Sequence, residues 1–162
     1  MNLQILKSIL FALILPFCIP LLGQTVQQEK MDPLSFMVGE WLGTSTTYDS
    51  GKVTQQVPAF QEIEYDLNQS ILVIKLNSST LKLHTIIHYS VKDSTYYYTA
   101  FSEKGGGKLP ATFSNSKFVV HASENRRYIF ERYGADGFRE YGEKRINGVW
   151  VKYFEDVFTD TK

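Results

Sequence analysis

The chain has 162 residues, with 17 Lys plus Arg against 17 Asp plus Glu and a single cysteine. Balanced charge without a basic stripe leaves no electrostatic footprint for nucleic acid, and one cysteine excludes a disulfide framework. The length fits one domain.

Residues 1–23 read as an export signal. Lys7 supplies a positive start, and Ile9 to Leu15 form an apolar run too short to span a bilayer. Pro16 and Pro20 break the run, and a processing point falls near Gly23 or Gln24. Bulky Phe17 before Cys18 argues against a lipidated cysteine. The mature chain is expected in the periplasm or outside the cell, with no membrane span. Losing the leader removes Cys18 and Lys7, leaving sixteen basic against seventeen acidic residues. A chain of about 138 residues buries roughly two-thirds of its unfolded surface without covalent staples.

Residues 24–31 are polar and are expected to form a flexible lead-in to a barrel domain over 32–162. Asp32-Pro33 gives a helix N-cap followed by proline in the first turn, and Gly39 stops it. That turn would carry Leu34, Phe36 and Met37 against a barrel end. Gly39-Glu40-Trp41-Leu42-Gly43 follows, with Trp41 expected to plug the same end while the glycines permit close backbone approach.

The rest reads as strand. Turn signals fall at Asp49-Ser50-Gly51, Asn68-Gln69, Asn77 to Ser79, Asp93-Ser94 and Gly105 to Gly107. They continue at Asn115-Ser116, Glu124-Asn125, Ala135-Asp136-Gly137 and Asn147-Gly148. Spacings of about 9 to 12 residues predict an all-β, up-and-down antiparallel barrel of about ten strands. No segment is long enough for a βαβ crossover, which excludes a parallel sheet. Ten strands leave room for a lumen, unless the many aromatic side chains fill it.

The last hairpins can be registered by turn chemistry. Asn147-Gly148 sets Ile146 opposite Val149, then Arg145 opposite Trp150 and Glu143 opposite Lys152. Regular alternation continues this to Tyr141–Phe154 and Arg139–Asp156. A three-residue loop ending at Gly137 opposes Arg132 to Glu140 and avoids like-charge pairs. The apolar face then holds Tyr128, Phe130, Phe138, Gly142, Ile146, Val149, Val151, Tyr153 and Val157, with Tyr153 over Gly142. Arg132, Glu140 and Glu155 share that face, the two carboxylates directly opposed and relieved by the guanidinium. They either anchor a ligand's head group or form a solvated rim; charge groupings near turns are usually solvated. Lys144 lies nearer the other hairpin end.

The remaining constellations are weaker. His84 and His88 lie about 13 Å apart on one strand, too far to share a metal ion, and the apolar face of Leu81, Leu83, Ile87 and Tyr89 turns them outward. His121 stands alone. Glu62, Glu64 and Asp66 alternate with Ile63, Tyr65 and Leu67 as in a half-exposed strand. Gly105 to Gly107 lacks a following helix and is no phosphate loop; it reads as a flexible hairpin connection. Tyr96 to Tyr98 reads as packing. No nucleophile elbow is present.

Leu34-Ser35-Phe36-Met37 before Gly39-Glu40-Trp41-Leu42-Gly43, together with the closing Trp150-Val151-Lys152-Tyr153-Phe154-Glu155, resembles a family of exported bacterial domains of unknown function. The resemblance covers nearly the whole mature region. It implies a calycin-like (lipocalin-like) barrel akin to nitrobindin-type and fatty-acid-binding barrels. Haem-binding relatives place an axial histidine late in the barrel, and this sequence has none after His121. That departure counts against haem.

These readings converge on a non-enzymatic binder of a small apolar or amphipathic molecule. Arg132, Glu140, Glu155, Tyr153 and Tyr128 are the candidate contacts, with no catalytic residue, metal or cofactor expected. Three alternatives stand beside it: an isomerase or hydrolase using Glu140 and Glu155 as acid and base, a haem-binding barrel, and a filled barrel that docks a partner.

Overall fold

Alternating residues with turn chemistry at regular intervals give ten strands that close on themselves. The computed structural model describes residues 25–162; the expected export signal at 1–23 lies outside them. The strands are β1 (Gly39–Asp49), β2 (Lys52–Asp66), β3 (Ile71–Ser78), β4 (Lys82–Ser90) and β5 (Thr95–Ser102). They continue with β6 (Gly105–Ser114), β7 (Lys117–Ser123), β8 (Arg126–Arg132), β9 (Gly137–Ile146) and β10 (Val149–Asp160). Each pairs antiparallel with its chain neighbour, and β1 pairs with β10 to complete the barrel. Closure removes the unpaired edges on which open sheets aggregate.

The polar lead-in is not a flexible strand of coil. Residues Val26–Met31 form a helix, α1, whose N-cap Thr25 and Gln28 hydrogen-bond reciprocally. A 3-10 segment follows at Asp32–Met37, with Pro33 in its first turn as expected. Its residues Leu34 and Met37, with Met31, are fully buried under one barrel end. Trp41 donates its indole N–H to the Met37 carbonyl at 2.6 Å and meets Phe138 edge-on at 4.9 Å. Tyr65 and Tyr96 donate to the carbonyls of Met31 and Lys30, tying α1 to β2 and β5. Trp41 therefore packs between the 3-10 segment and the Phe138 ring.

Two registers differ from expectation. In the β8–β9 hairpin Glu131 faces Arg139 and Arg132 faces Phe138. The connection is longer than the expected three residues, closed by a Tyr133 N–H to Gly137 carbonyl bond. Charge complementarity is met on the outer wall by Glu131 and Arg139 rather than by Arg132 and Glu140. In the β9–β10 hairpin the pairs Ile146–Val149, Arg145–Trp150 and Glu143–Lys152 hold, and then the register shifts between Lys152 and Phe154. Two residues of β10 oppose one of β9, which is a β-bulge. Its cause is Gly142: a Cβ there would run into the Phe154 ring and lie 2.8 Å from the Tyr153 ring. Two aromatic side chains stack over the one missing side chain. Beyond the bulge Tyr141 faces Glu155 and Arg139 faces Val157. Val157, expected inside, is on the outer face.

Gly105 to Gly107 opens β6 rather than forming the turn. A Cβ on Gly106 would lie 2.8 Å from both the Ala100 carbonyl and the Phe101 ring, so the glycine permits close strand approach.

Candidate functional site

The barrel is filled at one end and hollow at the other. Near the plug, Phe118, Phe130, Phe138 and Phe158 are buried, with Phe138 stacked on Phe158 at 5.0 Å. Towards the hairpins that join β1–β2, β3–β4, β5–β6, β7–β8 and β9–β10, the inward positions shrink or become polar: Ser45, Thr47, Ala100 and Gly107. They leave a cavity of about 400 Å³, walled also by Leu76, Leu83, Leu109, Tyr98, Tyr128, Tyr153 and Phe154. This is within the usual range for a small-molecule pocket. A wider depression of about 510 Å³ lies against Val73, His84, Ile86 and Phe101. It is more open and holds no buried charge.

Two carboxyls stand at the floor of the cavity. Glu140 on β9 faces Asp156 on β10, and Asp156 faces Ser45 on β1. Glu140 is 8% exposed and Asp156 4%. Gln61 on β2, fully buried, donates its amide to Glu140 Oε2 at 3.2 Å. Asp156 Oδ1 and Gln61 Oε1 have no hydrogen-bond partner. Burial raises the proton affinity of Glu140, the neighbouring Asp156 charge adds to it, and the Gln61 amide partly offsets it. Asp156 is also raised, by burial above all and by Glu155 on the opposite face, with the Ser45 hydroxyl opposing. The two therefore titrate as a unit that keeps a proton above the ordinary carboxylate range.

Aromatic rings form one wall beside this pair. Tyr98 lies 6.4 Å from Tyr128 between ring centroids, and Tyr128 6.1 Å from Phe154. The buried Tyr98 hydroxyl accepts from Thr85 at 3.4 Å, and its proton is held more tightly, by burial first and then by Glu140. Arg126 lies 5.5 Å from the Tyr153 ring. No Lys, Arg or His is among the cavity-lining residues.

No family model matches this chain. No curated protein matches it either. Among solved structures, a protein of unknown function from the DUF3598 family of Nostoc punctiforme PCC 73102 aligns over 85% of this chain and 100% of its own, at 6% identity and a TM-score of 0.29. A likeness that slight carries no argument here. The closed antiparallel barrel of ten strands itself fits a calycin-like architecture.

Of the five side chains expected at a ligand, three border the cavity: Glu140, Tyr153 and Tyr128. The other two do not. Arg132 is exposed at the plugged end, with its guanidinium 5.7 Å from the Phe36 ring. Glu155 is on the outer wall, accepting from Lys152 at 2.6 Å, Arg139 at 3.4 Å and Tyr48 at 3.3 Å. It belongs to an ion network running through Arg139 and Glu131 to Lys117 on β7. The bulge at Tyr153 inverts the inside–outside alternation, so Asp156 takes the inward position that regular pairing gives Glu155.

Asp156, Gln61, Tyr98 and Ser45 escape a reading of the sequence as sites. Gln61 shares its face with Ile63 and Tyr65, which is the signal that would place it inside. Asp156 can be found only by recognising the aromatic pair opposite Gly142 as a bulge.

The three histidines do not suit a haem iron held in the lumen. His84 and His121 are exposed, and His88 packs on Tyr97 on the outer wall. Among the described residues no group of three or more His, Cys, Asp or Glu converges on a metal position. Glu62 and Glu64 both pair with Lys75 on the exterior. Among the described residues no helix is long and apolar enough to cross a membrane.

Proposed function

We propose that this protein is an exported container that binds a small amphipathic molecule in the open half of its barrel. The apolar part lies against Leu76, Leu83, Leu109 and the tyrosine wall. A polar head reaches the floor formed by Glu140 and Asp156. The observation that carries this reading is the pair of facing carboxyls, Glu140 and Asp156, that border a cavity of about 400 Å³ with no cation among its lining residues. Enclosed carboxyls ordinarily find a cation or donors, and this pair borders open space without a cation beside it. The export signal expected at residues 1–23 supports placing the container outside the cytoplasm.

Native mass spectrometry of the protein recovered from its own host tests the reading: a co-purifying small molecule is expected. A second measure is uptake of the neutral dye N-phenyl-1-naphthylamine, with a fluorescence rise abolished by the cavity-filling substitution Ala100→Trp. No adduct and no dye uptake would refute it.

Acid–base catalysis is a second reading, favoured by the raised proton affinity of Glu140 beside Asp156. An enzyme would lose turnover in both Glu140→Gln and Asp156→Asn while keeping substrate binding. The filled-barrel interaction module fits only the plugged half.

A further inference from the structure

We infer that the head group taken by this cavity is a protonated amine, so that the ligand is a small primary or secondary amine on an apolar or aromatic body. The inference rests on the container reading and adds the chemistry of its occupant.

The two carboxyls at the floor offer acceptors and have no cation beside them. Glu140 and Asp156 both border the cavity, face each other and are more than nine-tenths buried, and Asp156 Oδ1 lacks a partner. The Gln61 amide is already committed to Glu140. An ammonium brings up to three N–H donors and no acceptor, which matches this deficit. A carboxylate or phosphate head would add acceptors and negative charge to a lining without a single Lys, Arg or His. An alcohol could satisfy one orphan and leave the charge unbalanced.

The walls agree with the floor. Tyr98, Tyr128 and Phe154 form a contiguous aromatic wall beside the two carboxyls. Ring faces attract a desolvated cation and not an anion. A hard metal ion draws on six or more oxygen ligands, several of them charged, and beyond the two carboxyls the wall adds only neutral hydroxyls among leucine, alanine and aromatic rings.

Binding is coupled to protons. Glu140 faces Asp156 and Gln61, with Tyr98, Tyr128 and Tyr153 around the cavity; Glu155 lies behind Asp156 on the outer face, and Arg126 stands over the Tyr153 ring. In the empty cavity the carboxyl pair holds a proton. An entering ammonium keeps its own protons and replaces that one, so one proton leaves to solvent for each amine bound where the pair is half neutralised. Affinity for the amine then rises with pH across the range in which the pair loses its proton, as long as the amine stays protonated.

Calorimetric titration of the mature chain with 2-phenylethylamine, 2-phenylethanol and phenylacetate, at pH 6 and pH 8, separates the possibilities. The amine is expected to bind at least about tenfold more tightly than the alcohol, and phenylacetate most weakly. Amine affinity should be higher at pH 8, with proton release detected by comparing buffers of different ionisation enthalpy. Glu140→Gln and Asp156→Asn should each weaken the amine about tenfold or more, and the alcohol much less. Alcohol or acid binding as tight as the amine would overturn the amine inference and leave the container standing. Failure of all three probes also overturns it, and dye uptake then decides separately whether the container reading survives. Amine binding unaffected by either substitution would place the ligand elsewhere and refute the assignment.

Discussion

Asp156 faces Glu140 across the β9–β10 ladder inside the barrel, while its chain neighbour Glu155 turns to the outer wall and joins Lys152 and Arg139. One extra residue in β10 makes the difference. The bulge converts a strand that would alternate regularly into one that sends two aromatic rings and then a carboxylate into the cavity. Adjacent acidic residues thereby acquire opposite environments, one paired with cations and one enclosed without any.

The enclosed pair makes stability depend on pH. Both groups are raised in the folded state, so the folded chain binds more protons than the unfolded chain above the ordinary carboxylate range. Their contribution is fully present below the ordinary carboxylate values and is lost as pH rises through the folded ones. Glu140→Gln removes an enclosed charge while keeping an acceptor for Gln61. It is expected to stabilise the protein by on the order of 1–3 kcal/mol at pH 8 and to change little at pH 4. Urea unfolding at the two pH values measures this, and equal effects at both would contradict it.

Glu155→Gln should behave in the opposite sense. It breaks contacts to Lys152, Arg139 and Tyr48 and is expected to cost about 1 kcal/mol at neutral pH, less at high salt. Without the bulge, Glu155 would face Glu140 and its neutralisation would stabilise. The sign of this single substitution therefore reports the register.

Gly142→Ala should destabilise by about 1–3 kcal/mol, because the added methyl meets the Phe154 and Tyr153 rings and not open space. The same substitution should reduce dye uptake by displacing those rings. Thermal denaturation and N-phenyl-1-naphthylamine fluorescence check the two effects together. An unchanged melting temperature would contradict the packing.

At the plugged end, Trp41→Phe keeps a ring against Phe138 and loses the bond to the Met37 carbonyl. A loss of about 1 kcal/mol is expected from that bond alone. Ligand uptake should persist, since Trp41 does not border the cavity. Denaturant titration beside a dye assay tests both halves of the statement.

Most of the architecture was legible from turn chemistry. Asn147 and Gly148 both adopt positive φ, the conformation their hairpin signal implies, and the pairs nearest that turn follow from it. Trp41 was legible as a plug because it follows a short capped turn between glycines. Legibility fades with distance from a turn, since a bulge shifts every later residue to the other face. That is why Val157 and Glu155 were expected inside and Asp156 was not. Arg132 is ambiguous for a related reason: charge matching does not distinguish its pairing with Glu140 from the pairing of Glu131 with Arg139 that forms. Gln61 and Tyr98 lay outside any motif, because a buried amide or phenol becomes a site only when distant strands close around it. In α1 the polar composition concealed a capping box that Thr25 and Gln28 complete.

The most direct test of the account is a carboxyl carbon NMR titration of the full mature chain, with Glu140, Asp156 and Glu155 assigned. Glu140 and Asp156 should titrate together, above the ordinary carboxylate range, and both should shift when 2-phenylethylamine binds. Glu155, on the outer wall, should show no ligand response. Ordinary, independent titration of Glu140 and Asp156 would contradict the enclosed pair on which the proposed function stands.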